Sequence, residues 1–181
     1  MTRITDISTQ TQFCCVIGNP VEHSLSPAIH NAGYAELGLD FVYVANRVED
    51  LKSTLAGMRA MENFRGMSIT IPHKIEAIEY VDEIPEMDRA IGSINTVVNE
   101  NGRLIGSNTD GPGAMKAIED AGVDLQDRHV LMLGAGGASR AIAFTLAWDP
   151  RIKEMTLLDI DPDLLDSLGS DLSKKTDTRI A

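Results

Sequence analysis

The chain has 181 residues, 43% hydrophobic and 24% charged, which is enough for one well-filled core or for one domain and part of another. Its 16 Lys and Arg against 27 Asp and Glu give a formal charge of −11, which repels a polyanion over most of the surface. Nucleic acid is therefore excluded as the expected partner, while a local pocket for a small anion stays open. There is no run of about 18 apolar residues, and the N-terminal MTRITDISTQTQ is polar, so no membrane partner or signal peptide is expected and a cytoplasmic location is the default.

The first strand is expected at residues 14–18, CCVIG. Its adjacent cysteines Cys14 and Cys15 face opposite ways on a strand and read as reduced core residues. His23, His30, His73 and His129 show no zinc spacing, so no metal is expected. GNPVEHSLSPAIHN (18–31) leads through Ser24 and Ser26 into a helix over 26–39, with a serine cap and Pro27 in its first turn. A second strand follows at 41–48 and a helix at 48–61 with acidic residues in its first turn. The third strand, GMSITIP (66–72), stops at Pro72, which places Lys74 at a strand end. The βαβαβ order predicts a mostly parallel sheet with covering helices. His73 reads as a surface residue, and Asp6, Asp40 and the acids of VDEIPEMD (81–88) as solvated charge. Met58, Met61 and Met67 read as packing, and Asn99 and Asn101 as turn residues of a hairpin about Asn101 and Gly102.

Beyond the hairpin a connecting helix is predicted over 109–122, then a strand, a glycine turn and an apolar helix in HVLMLGAGGASRAIAFTLA (129–147). A further strand follows in EMTLLDIDPD, and the tail from Ser167 is polar and weakly patterned. Gly134, Gly136 and Gly137, with Ala135 and Ala138 between and after them, lie where strand hands over to helix. Free helix N–H groups there favour a pyrophosphate, and Ser139 takes the place of the third glycine. Asp159, with Asp161 as the second choice, ends the next strand, where a carboxylate reads the adenosine ribose diol and repels a 2′-phosphate. The nearest cations, Arg151 and Lys153, precede the strand, so NAD is favoured over NADP. Only the opening strands of a two-halved dinucleotide fold follow, so the chain reads as a fragment, truncated at its C-terminus.

GNPVEHSLSPAIHN, GMSITIPHK, GSINTV, GSNTDG and GAGGAS, in this order, resemble the shikimate/quinate dehydrogenase family from residue 14 to about 165. The resemblance implies an α/β chain: a substrate-binding and catalytic domain over 1–108, then the first part of a Rossmann-type, doubly wound NAD(P)-binding domain over 109–181. It implies reversible reduction of 3-dehydroshikimate to shikimate, with quinate oxidised by some members, as a step of aromatic amino acid biosynthesis. Small-molecule substrate is then the partner, and a homodimer is left open. Ser24 and Ser26 match the serines that hold the substrate carboxylate. Thr70, Asn95 and Asp110 match residues on the ring hydroxyls, and Lys74 matches the catalytic lysine. Ser68 stands where many members carry asparagine. Lys74 can give a proton to the alkoxide left by hydride transfer, with Asp110 as its orienting carboxylate, and the two are expected to converge in a cleft between the domains. Two alternatives stand beside this: a non-catalytic binding module, and another two-domain dehydrogenase such as a folate dehydrogenase.

Overall fold

The computed structural model describes residues 7–181, so Asp6 lies outside the described residues. The chain forms two compact units, one made of the residues through Pro85 with Ile94–Ser107, the other of Glu86–Ser93 with Asn108–Ala181.

In the first unit, strands β1 (Gln12–Gly18), β2 (Phe41–Arg47) and β3 (Phe64–Ile69) alternate with helices α1 (Ser26–Glu36) and α2 (Leu51–Arg59). A short 3-10 turn over Glu76–Tyr80 follows β3. The hairpin strands β4 (Thr96–Glu100) and β5 (Arg103–Ser107) complete a five-stranded sheet in the order β2-β1-β3-β4-β5. The first three strands are parallel, as expected for βαβ units, and the hairpin joins the same sheet antiparallel, so the sheet is mixed. Asn101 and Gly102 both have positive φ, the backbone twist a tight hairpin needs.

Alternation along β1 sorts its residues between two cores. Cys14 and Val16 pack with Val21, Tyr43, Tyr34 and Phe41. Cys15 and Ile17 face Leu51, Leu55 and Met58 of α2 together with Phe64, Met67 and Ile69. Both cysteines are free and buried. The open edge of β2 is blunted by α1: Asn31 donates to the Tyr43 carbonyl at 2.8 Å and accepts from the Tyr43 N–H at 2.9 Å.

The second unit opens with the short helix α3 (Glu86–Ile91) and continues through α4 (Asp110–Asp120), β6 (Arg128–Leu133), α5 (Gly137–Ala147), β7 (Ile152–Leu158), α6 (Pro162–Lys175) and β8 (Arg179–Ile180). Its three strands are parallel in the order β6-β7-β8. Phe144, Ala141 and Ala147 of α5 and Leu168 and Leu172 of α6 bury against Met155 and Leu157. α4 lies so close to α5 that a Cβ on Gly111 would stand 2.0 Å from Thr145 Oγ1.

The tail expected to be weakly patterned is instead ordered. Asp161 caps α6 by accepting the N–H groups of Asp163 and Leu164, and Leu168 and Leu172, one turn apart, supply its buried face. α1 also departs from expectation: Leu25 flanks its start with no side-chain cap, and Ser24 Oγ accepts from the Ser26 N–H at 3.3 Å. In α2 the acidic residue is the cap itself, Asp50, accepting from the Ser53 N–H.

Candidate active site

Because β1, β2 and β3 run parallel, their C-terminal ends lie on one edge of the first unit's sheet; β4, antiparallel to β3, begins there, with Thr96 opposite Ser68. The segments that leave or enter this edge carry every site residue expected in the unit: Ser24, Ser26, Ser68, Thr70, Lys74 and Asn95. Backbone bonds tie these segments together. Thr70 N–H donates to the Ile17 carbonyl, Asn19 N–H to that of Ile71, Ile69 N–H to that of Asn95, and Ile94 N–H to that of Lys74. All six side chains are partly exposed, so they are held by buried backbone yet open to a ligand.

Two close contacts fix the detail. A Cβ on Gly18 would stand 2.4 Å from Thr70 Cγ2 and 3.1 Å from the Ile71 carbonyl oxygen, so only glycine lets β1 pass this close to the turn after β3. Ser68 Oγ accepts a 2.7 Å hydrogen bond from the hydroxyl of Tyr43, itself buried, with the His30 ring stacked on it at 4.2 Å between centroids. Burial raises the Tyr43 pKa, so the phenol stays a donor. Asn95 Oδ1 accepts from Thr96 Oγ1 at 2.9 Å.

Lys74 sits in the turn after β3, beyond the strand end where the proline break placed it. Its neighbour His73 is not a surface residue: it is 4% exposed, and its Nε2 lies 2.8 Å from the Val48 carbonyl oxygen at the exit of β2. Of the acids of 81–88, Glu86 is exposed as expected, whereas Asp82 and Asp88 are more engaged than solvated charge. Asp82 accepts from Arg59 at 2.6 Å and from the Leu104 N–H at 2.7 Å, and burial pushes the Asp88 carboxyl above its ordinary range. Asp40 accepts from Thr11 Oγ1 at 2.7 Å. Asn99 does serve the hairpin turn, accepting from the Gly102 N–H, but it is buried and also donates to the Phe64 carbonyl. Met58 and Met67 are buried as expected, whereas Met61 is exposed.

In the second unit, β6 ends at Leu133 and the turn Gly134–Gly136 leads into α5. Gly134 has φ +100°, and a Cβ there would stand 3.1 Å from Ser139 Oγ. The serine in the third-glycine position therefore packs against the first glycine, and the turn requires glycine at 134. Nothing lies within 4 Å of where a Cβ on Gly136 would project, which leaves an open approach to the head of α5. The free N–H groups there and the cleared backbone suit a pyrophosphate.

Asp159, one residue past β7, reaches back to this turn: its Oδ2 accepts from the Ala135 N–H and its Oδ1 from the Asp161 N–H at 2.8 Å. These backbone donors, the Asp161 N–H first, hold its carboxyl below the usual range, so it is an anion at neutral pH. Asp161, the second choice as a ribose reader, spends its carboxylate on capping α6. Arg151 and Lys153 pair with Asp149 and Asp127. Asp110 opens α4, its N–H bonded to Asn108 Oδ1 at 2.9 Å.

Sequence reasoning missed Arg140. It is 8% exposed, bonds the Ile91 carbonyl and Asp171, and lies over the Phe144 ring, so it pins the 86–93 segment to α5 and α6. An arginine amid GASRAIAF gives no local sign of these partners. Among the described residues no cluster of three or more His, Cys, Asp or Glu could hold a metal, and no helix is long and apolar enough to cross a membrane.

The model of the shikimate dehydrogenase substrate binding domain matches residues 16–97. The chain is 42% identical over 171 residues to the NADP(+) shikimate dehydrogenase of Methanococcus maripaludis, covering 93% of this chain and 60% of that protein. The shikimate 5-dehydrogenase of Listeria monocytogenes, solved with shikimate and NAD, superposes with a TM-score of 0.88 at 36% identity, covering 100% of this chain and 63% of that one. A shikimate dehydrogenase solved with NADP+ gives 0.85 at 37% identity, covering 96% and 62%. The chain thus spans about three fifths of the length of these relatives.

Proposed function

We propose that the chain is a member of the shikimate dehydrogenase family and serves the NAD(P)-dependent interconversion of 3-dehydroshikimate and shikimate. The observation that carries this reading is the single sheet edge at which Ser24, Ser26, Ser68, Thr70, Lys74 and Asn95 are gathered, inside the stretch matched by the substrate binding domain.

Each residue then has a task. Ser24 and Ser26, at the head of α1, take the substrate carboxylate, where hydroxyls and free helix N–H groups both favour an anion. Ser68, Thr70 and Asn95 bind ring hydroxyls. The nicotinamide supplies a hydride when bound. Lys74 Nζ stabilises the negative charge that grows on the ketone oxygen and delivers a proton to it; in the oxidation direction the neutral amine takes that proton back. Gly134, Ala135, Gly136, Gly137, Ala138 and Ser139 take the pyrophosphate at the head of α5.

For the cofactor the reading is NAD before NADP. Relatives bear the name NADP(+), and a related structure holds NAD. In this chain the end of β7 carries the anionic carboxylate of Asp159, and the basic residues just before the strand are paired elsewhere. A 2′-phosphate would meet repulsion from that carboxylate.

Calorimetric titration of this chain with shikimate tests the substrate reading. Saturable binding that the Ser24→Ala, Ser26→Ala double variant weakens tenfold or more supports it, and a chain that takes up no shikimate overturns it. In shikimate-dependent NAD+ reduction, Lys74→Met is expected to lower kcat by roughly a hundredfold or more while leaving shikimate affinity within a few-fold.

A further inference from the structure

Between the glycine turn and the head of α4 runs a short chain of buried hydrogen bonds that neither candidate site accounts for. Ser93, 0% exposed, donates its hydroxyl to the Gly137 carbonyl oxygen at 2.9 Å. Asn108, 5% exposed, donates from Nδ2 to Ser93 Oγ and to the Ser93 carbonyl, both at 3.0 Å. The other end of the same amide, Oδ1, accepts the Asp110 N–H at 2.9 Å. The three positions come from separate stretches of the sequence, yet all belong to the second unit.

The physical consequence lies in the peptide plane. The Gly137 carbonyl and the Ala138 N–H belong to one rigid peptide unit, so a hydroxyl that grips the oxygen also sets the direction of the N–H. That N–H is among the free donors at the head of α5. At the far end, Asn108 satisfies one of the corresponding free donors of α4 and so fixes the backbone that carries the Asp110 side chain. A buried, fully paired network of this kind specifies one arrangement, because any alternative strands a polar group away from water.

We propose that Ser93 and Asn108 are a positioning pair for dinucleotide binding: together they lock the first peptide of α5 and the backbone of Asp110 in one fixed arrangement. The proposal rests on the reading of the glycine turn as the pyrophosphate site. Neither residue touches the ligand; both act through the groups they hold.

The test uses this chain and NAD+ as the probe. By calorimetry, well below the unfolding temperature of every variant, Ser93→Ala and Asn108→Ala each weaken NAD+ binding about fivefold, the loss expected from one orienting hydrogen bond. The double variant is little worse than either alone, because the pair works as a unit. Leu168→Val, in the core of the same unit, lowers stability without changing affinity, which separates positioning from general loosening. In the unliganded protein, amide spectra of Ser93→Ala show the Ala138 and Asp110 resonances both displaced. Unchanged NAD+ affinity in both single variants, an equal loss in Leu168→Val, or undisplaced Ala138 and Asp110 amides would each overturn the proposal. Displaced amides in a chain whose wild type binds no NAD+ would overturn the cofactor reading alone.

Discussion

Tyr43 and Ser68, on strands separated by β1, are joined by a 2.7 Å hydrogen bond in which the phenol donates and the serine oxygen accepts. The Ser68 hydroxyl is thus oriented by a buried neighbour from its own sheet. With its oxygen accepting from Tyr43, its own hydrogen is directed away from that partner and toward other acceptors. Tyr43→Phe removes the orienting donor. It is expected to lower stability by about 1 kcal/mol and to weaken shikimate binding several-fold. Denaturant unfolding and calorimetry read the two effects; an unaltered shikimate affinity would mean that Ser68 does not serve the ligand.

Gly18→Ala tests how tightly the substrate edge is built. The new methyl would overlap Thr70 Cγ2, so either the Thr70 side chain turns or the strand moves. A stability loss of about 1–3 kcal/mol is expected, with shikimate affinity falling alongside it. Gly33→Ala, where a Cβ meets nothing within 4 Å, serves as the control and leaves affinity unchanged.

Alkaline pH should weaken the fold. Burial pushes the Cys15 thiol up to about 12 and raises Cys14 and Tyr43 as well. In the unfolded chain these groups ionise near their ordinary values, roughly 8.5 for Cys and 10 for Tyr. Above those values the unfolded state binds fewer protons than the folded one, so stability falls as pH rises. Their contribution is complete below about pH 8 and is lost progressively toward pH 12. Urea midpoints at a series of pH values read this directly, and Cys15→Ala is expected to flatten the decline. A midpoint that rises with pH in that window would contradict the assignment.

Asp159→Asn removes the negative charge at the end of β7. The ratio of NADP+ to NAD+ affinity is expected to move toward NADP+ by about tenfold, as the repulsion of a 2′-phosphate is lost. Affinities for both cofactors, measured on the same preparation, check this; an unchanged ratio would show that Asp159 does not face the ribose.

What could be read from the sequence were features whose cause is local. The glycine turn declares itself because strand, Gly134 and helix are contiguous, and the hairpin because Asn101 and Gly102 both need positive φ. α6 is hidden when the tail is taken from Ser167 onward, which separates Leu168 and Leu172 from the Asp161 cap and Pro162 that start the helix. The burial of His73, Asn99 and Arg140 leaves no sign in the sequence for another reason. Their partners, the Val48, Phe64 and Ile91 carbonyls, are brought up by tertiary folding and leave no trace in neighbouring residues. Ser68 shows the same limit, since only the pairing of β2, β1 and β3 reveals that Tyr43 reaches it.

The central claim is that shikimate binds at the C-terminal edge of the first unit's sheet, and amide-resolved titration of the isotopically labelled chain with shikimate tests it most directly. The account predicts saturable displacements at Ser24, Ser26, Ser68, Thr70, Lys74 and Asn95, with the opposite edge around Arg59 and Gly102 unmoved. Displacements confined to that opposite edge, or none at saturating shikimate, would contradict it.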